Sequence, residues 1–162
     1  MRYDDQIGEL ACRLGQALAE RGMRLAVAES CTGGWLAKAV TDMPGSSAWF
    51  DRGFITYSNL SKQEMLGVSE AVLQAHGAVS EACVRAMAEG ALVHSPADVS
   101  VAISGIAGPG GATPGKPLGV VWVAWARHGA ETSARMFHFK GDREAVRAQA
   151  VVAGCEGLLE RL

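Results

Sequence analysis

Three short stretches carry side chains suited to acyl transfer. The first is Glu29-Ser30-Cys31-Thr32-Gly33-Gly34. An apolar run ends there, two candidate nucleophiles follow, and a helical pattern starts after two glycines. A strand that turns sharply into a helix exposes its turn residue, and a helix start leaves about four backbone N–H groups unpaired. Such donors hold an oxyanion or a phosphate, and Gly33 and Gly34 allow close approach of a ligand to the backbone. The arrangement is that of a nucleophile elbow without the Gly-x-Ser-x-Gly signature. The plainer reading makes Ser30 or Thr32 a helix N-cap, but a cap has no need of two glycines. Cys31 is a rival nucleophile, since a thiol is intrinsically better than a hydroxyl. It lies one residue further on, where the turn aims it differently.

The second stretch, Ser61-Lys62-Gln63-Glu64, reads as a Ser-x-x-Glu capping box, which puts Lys62 on the first turn of a short helix. A serine nucleophile needs a base, and no histidine here sits beside a suitable carboxylate. A neutral lysine serves in Ser–Lys variants of the triad. Neutrality requires burial or a nearby positive field, and a helix N-terminus is such a field. The competing reading is a solvated surface lysine. The third stretch, residues 104–119, is glycine- and proline-rich and too long for a plain connector. Ser104 at its start is placed to relay a proton between Lys62 and Ser30, and Gly105, Gly108, Gly110 and Gly111 to shape a pocket for a phosphate or a ring. It leads into a strand and lacks Gly-Lys-Ser/Thr, so it is neither a Walker A loop nor a dinucleotide fingerprint.

Periodicity supplies the elements that must position these groups. Residues 5–21 form an apolar helical stripe, with Asp4 or Asp5 as cap and Gly22 as terminator. Strands are expected at 23–29, 52–58 and 98–105, and helices from Trp35 to about Asp42, after Ser61 and over 81–94, the last capped by Ser80. Residues 119–128 and 132–139 pair as an antiparallel hairpin over Gly129-Ala130. Asp142 caps a final helix whose Gly154 and Gly157 weaken it or allow close packing. Alternation early and a hairpin late predict an α/β fold, a three-layer α/β/α sandwich with a mixed, mostly parallel sheet. The three chemistry-bearing stretches all fall at C-terminal ends of strands, where sites gather in such sheets.

Bulk properties restrict the function. The 162 residues, 49% hydrophobic, fit one domain over 1–162 with a real core. The net charge of −2 and the absence of a basic run argue against nucleic acid. The start, MRYDDQ, is no signal peptide, and no apolar run approaches the roughly 20 residues of a membrane span. Cys12, Cys31, Cys83 and Cys155 are widely spaced and the histidines show no ligand spacing, so disulfides and structural zinc are not expected. The cytoplasm is the default compartment.

Taken together, AESCTGGWLAKAVTDMPGSSAWFDRGFITYSNLSKQEMLGV, HGAVSE, SGIAGPGG…KPLG and GDREAVRAQA resemble the C-terminal domain of the CinA family across about residues 5–160. The resemblance implies a three-layer sandwich, commonly oligomeric, that hydrolyses the carboxamide of nicotinamide mononucleotide to nicotinate mononucleotide and ammonia without metal or cofactor. Larger members carry an N-terminal domain that this chain is expected to lack. It implies Ser30 as nucleophile, Lys62 as base and Ser104 in the catalytic set. Tyr57, Asn59 and Arg143 match pocket-lining positions, Tyr57 for the pyridine ring and Arg143 for the phosphate. Cys31, Thr32, Gly33 and Gly34 and the 105–111 loop complete the expected substrate contacts. Ala112 and Gly115 depart from the family pattern but lie outside the catalytic set. The alternative is a nucleotide-binding regulatory module without turnover, against which the intact Ser30, Lys62 and Ser104 set argues.

Overall fold

A computed structural model describes residues 2–162. Its elements follow the order α1 (Tyr3–Arg21), β1 (Leu25–Glu29), α2 (Trp35–Thr41), β2 (Phe50–Ile55), α3 (Asn59–Leu66), α4 (Glu70–His76), α5 (Glu81–Val93), β3 (Val99–Gly105), β4 (Val120–Arg127), β5 (Ser133–His138) and α6 (Arg143–Arg161). The five strands form one sheet in the order β2-β1-β3-β4-β5. β1 pairs parallel with β2 and β3, β4 is antiparallel to β3, and β5 is antiparallel to β4. Four strands therefore run one way and β4 alone is reversed. The expected mixed sandwich and the hairpin are both present.

Strand alternation divides the core in two. Leu25, Val27, Val101, Ile103, Val121 and Val123 pack with α1, α2 and α6 on one face. Ala26, Ala28, Ala102, Ala124 and Ala126 meet α3, α4 and α5 on the other. A face of alanines lets α5 lie close, and the buried Ser100 hydroxyl donates to Ala88 O at 2.7 Å across that contact. The same alternation, carried past the end of β1, sends Glu29 toward α2 and Ser30 toward α3.

Several local expectations are corrected. α1 starts at Tyr3 with Arg2 before it, so neither Asp4 nor Asp5 is its cap; both acids lie in the first turn, where they face the positive helix end. Gly22 does end α1, in the left-handed conformation (φ 62°). The Ser61–Glu64 box is not the cap of α3. Ser58 is, its Oγ accepting from Ser61 N at 3.1 Å, which leaves Lys62 at the fourth helical position. α4, capped by Ser69, adds a helix that the sequence reading passed over. Ser80 and Asp142 cap α5 and α6 as expected.

Two glycines mark where helices approach most closely. A Cβ at Gly157 would lie 2.0 Å from the Trp125 indole, so the glycines of α6 serve close packing on the sheet. A Cβ at Gly90 of α5 would lie 2.1 Å from the carbonyl oxygen of Leu66, at the end of α3. No rotamer change relieves a clash with backbone, so α3 would have to move. Gly90→Ala is expected to destabilise by about 1–3 kcal/mol, read as a fall in melting temperature of several degrees, and to lower activity by displacing the helix that carries Lys62.

Candidate active site

Ser30 and Lys62 meet where the C-terminal ends of β1 and β2 adjoin α3. The Lys62 Nζ lies 3.0 Å from Ser30 Oγ, 2.7 Å from Thr56 O and 3.1 Å from Tyr57 O. Lys62 is only 1% exposed and is one of the largest fully buried side chains of the protein. Burial lowers its pKa from the ordinary 10.5, with small opposing effects from the Cys83 and Cys31 thiols. The cause is desolvation, not the expected helix N-terminus: Nζ reaches back to carbonyls at the end of β2. As a neutral amine, Lys62 has two N–H bonds for the two carbonyls and one lone pair. Carbonyls cannot donate, so only the Ser30 hydroxyl can supply a proton to that lone pair. As an ammonium, its three N–H bonds match the same three oxygens. The geometry satisfies both protonation states.

These residues line a cavity of about 260 Å³ together with Cys31, Ser104, Tyr57 and Arg143, the Ala78-Val79 turn, and Gly105, Ile106, Ala107, Gly108, Gly110 and Gly111. The 106–119 loop is tied down along its length. Ile106 N donates to Val120 O, Gly119 N to Ile106 O, Lys116 Nζ to His76 O, and an Arg143 Nη to Gly108 O at 2.8 Å. The other Arg143 Nη lies 3.4 Å from the Tyr57 hydroxyl, so the two residues meet at the cavity rim.

The other expected site residues divide between this cavity and its surroundings. Ser104 stays on the cavity wall with its hydroxyl donating to Ala78 O at 2.9 Å, and Lys62 Nζ reaches Ser30 Oγ without it. Asn59 opens α3 and does not line the cavity. Thr32, Gly33 and Gly34 line a separate hollow with Trp35, Lys38 and Arg147.

The reason is Glu29. Its fully buried carboxylate accepts from Thr32 Oγ1 at 2.6 Å and from the N–H groups of Gly34, Leu36 and Ala37 at 3.3, 3.0 and 3.0 Å. Gly33 N donates to Ser30 O and Trp35 N to Thr32 O. Neither Ser30 nor Thr32 caps α2, because the carboxylate does so, and the N–H groups of residues 33–37 are all spoken for. The N–H groups of Ala107, Gly108, Gly110 and Gly111 are not used by other backbone among the described residues. The residue types at 29 and 147 are visible in the sequence; their partners are not.

A family profile described as the CinA C-terminal domain matches residues 8–162. The chain belongs to this family. Among its CinA relatives, the nicotinamide-nucleotide amidohydrolase PncC of Escherichia coli K12 is 51% identical over 98% of this chain and 96% of its own. A CinA-like protein of Akkermansia muciniphila is 54% identical over 88% of this chain, which spans 34% of that longer protein. The crystal structure of an Escherichia coli protein of the CinA superfamily superposes with a TM-score of 0.94 at 40% identity, covering 100% of this chain and 94% of that one.

Cys31 is a poor rival to Ser30 within this CinA site. It is 6% exposed, and burial pushes its thiol up to about 11, against smaller lowering effects that include the Arg147 charge. At neutral pH it stays a thiol. Iodoacetamide at pH 8 is expected to leave Cys31 unmodified in the folded protein while the exposed Cys12 reacts, as read by peptide mass spectrometry.

Proposed function

We propose that the chain is a nicotinamide-nucleotide amidase working by a Ser–Lys acyl-enzyme mechanism. The observation that carries this reading is the buried contact of Lys62 Nζ with Ser30 Oγ, 3.0 Å long. The substrate class is supported by the name of the PncC relative, matched at 51% identity over nearly all of both chains.

In the first half-reaction the Ser30 proton passes to the Lys62 lone pair as Oγ bonds to the carboxamide carbon. Donors on the 105–111 loop stabilise the oxyanion, each worth about 3 kcal/mol of barrier. The Lys62 ammonium then protonates the leaving nitrogen as the C–N bond breaks, and ammonia departs. In the second, Lys62 takes a proton from water, which attacks the acyl carbon; the acyl–Oγ bond breaks and the proton returns to Ser30. Tyr57, exposed at the rim, stacks on the pyridine ring, and Arg143 meets the 5′-phosphate. Ser104 serves by holding the Ala78 turn against the cavity. Residues 1–162 act as one catalytic unit in the salvage of pyridine nucleotides in the cytoplasm. Exposed Ile55, Tyr57 and Leu60, around the end of β2 and the start of α3, favour a homo-oligomer, which light scattering tests.

The deciding assay is ammonia release from nicotinamide mononucleotide in the presence of chelator. Wild type is expected to turn over, Ser30→Ala to be inactive, and Lys62→Met to lose about 10²- to 10⁴-fold in kcat. Calorimetric binding without turnover by wild type would instead favour a regulatory module.

The pH dependence follows from the direction of the Lys62 shift. The base acts as a neutral amine, and burial lowers its pKa, so the neutral form appears at a lower pH than for an ordinary lysine. kcat/KM is therefore expected to rise with pH along a single limb centred below 10.5. A limb at or above that value would show a solvated lysine and overturn its role as base.

A further inference from the structure

In the turn that presents Ser30, Trp35 N–H donates to the Thr32 carbonyl, whereas no backbone N–H donates to the Cys31 carbonyl among the described residues. Gly33 and Gly34 both have positive φ (58° and 104°), and peptide units next to glycines flip most readily. Arg147, from α6, grips this turn. Its Nε donates to Cys31 O at 3.0 Å and one Nη to Thr32 O at 3.2 Å, while the guanidinium lies 5.5 Å from the centre of the Trp35 ring. The two carbonyls thus point to Arg147, which lines the hollow beside Gly33, Gly34 and Trp35 and does not line the cavity of Ser30.

We infer that Arg147 is a positioning residue for the Ser30 nucleophile: its guanidinium forks across two successive carbonyls and holds the turn in the one arrangement that keeps both away from the reacting oxygen. This rests on the Ser–Lys reading above. A carbonyl turned into the cavity would place partial negative charge beside a developing oxyanion and repel it. Glu29 holds the N–H side of the same turn, so an anion and a cation fix it from opposite ends of its peptide dipoles. A planar fork matches two neighbouring oxygens, whereas an ammonium, as a point charge, does not.

The test compares wild type, Ser30→Ala, Arg147→Lys and Arg147→Met in three measurements. These are steady-state ammonia release from nicotinamide mononucleotide, melting temperature, and the rate at which a fluorophosphonate probe labels Ser30. For Arg147→Met a fall of about 10- to 100-fold in kcat is expected, with KM unchanged and a parallel fall in labelling rate. Arg147→Lys, which keeps the charge and the stem, is expected to fall between it and wild type, and it decides the matter if the Met variant fails to fold. Wild-type kcat and labelling in Arg147→Lys would overturn the fork. A raised KM with kcat and labelling intact would overturn it too, making Arg147 a substrate contact. The Ser–Lys reading fails separately and earlier, if wild type neither turns over nor labels at Ser30, or if Ser30→Ala retains activity.

Discussion

Burying the amine of Lys62 is the demand that the rest of this architecture meets. A lysine this deep is tolerated only if every N–H bond has a partner and the charge can be shed. Here the partners are the Ser30 hydroxyl and the carbonyls of Thr56 and Tyr57. Those carbonyls are available because they belong to the two residues after β2, an edge strand ending at Ile55, and no backbone N–H donates to either among the described residues. The Ser58 cap then turns the chain into a helix whose fourth residue is Lys62. The bare Cα of Gly90 lets α3 settle on α5. Each of these features is ordinary in itself; together they bring one amine to one hydroxyl.

The sheet contributes through its alternation. Glu29 and Ser30 are adjacent and leave the end of β1 toward opposite faces. The carboxylate is absorbed by the start of α2, and the hydroxyl enters the cavity. The start of α2 is thus filled by the protein's own carboxylate, whereas the N–H groups of Ala107, Gly108, Gly110 and Gly111 after β3 are not used by other backbone among the described residues. The loop is held by contacts made elsewhere: through the Gly108 carbonyl to Arg143, through Lys116 to the end of α4, and through Ile106 to Gly119 and Val120 at the entry to β4.

What was legible in the sequence is what depends on local order. The buried strands, the hairpin over Gly129-Ala130, the caps at Ser80 and Asp142 and the mixed sandwich follow from periodicity and turn chemistry. Ser30, Lys62 and the 105–111 loop could be named because they sit at strand ends and match a family pattern. The cap of α3 was misplaced by three residues because Ser58 and Ser61 are both good caps, and only the end of β2 decides between them. Thr32, Gly33 and Gly34 were assigned to the cavity because a free helix start was assumed. That assumption failed on Glu29, whose side-chain direction is a matter of strand register. Arg147 acts over 115 residues of separation, and no local signal marks it.

No carboxylate is among the groups that shift the Lys62 pKa, and the proposed role of Lys62 as base demands as much. In a Ser-His-Asp site the carboxylate helps because it stabilises the charged histidine that forms during reaction. A lysine starts too basic, and a carboxylate next to it would raise its pKa further and remove the lone pair that the proposed reaction needs. The acid closest in sequence to Ser30 is Glu29. Its carboxylate is taken up by three N–H groups and one hydroxyl on the far side of β1, and only the Cys83 and Cys31 thiols oppose the lowering of the Lys62 pKa. Thiols that remain protonated at neutral pH add no anion. Capping α2 with the Glu29 carboxylate therefore places that negative charge on the opposite face of β1 from the Ser30–Lys62 contact.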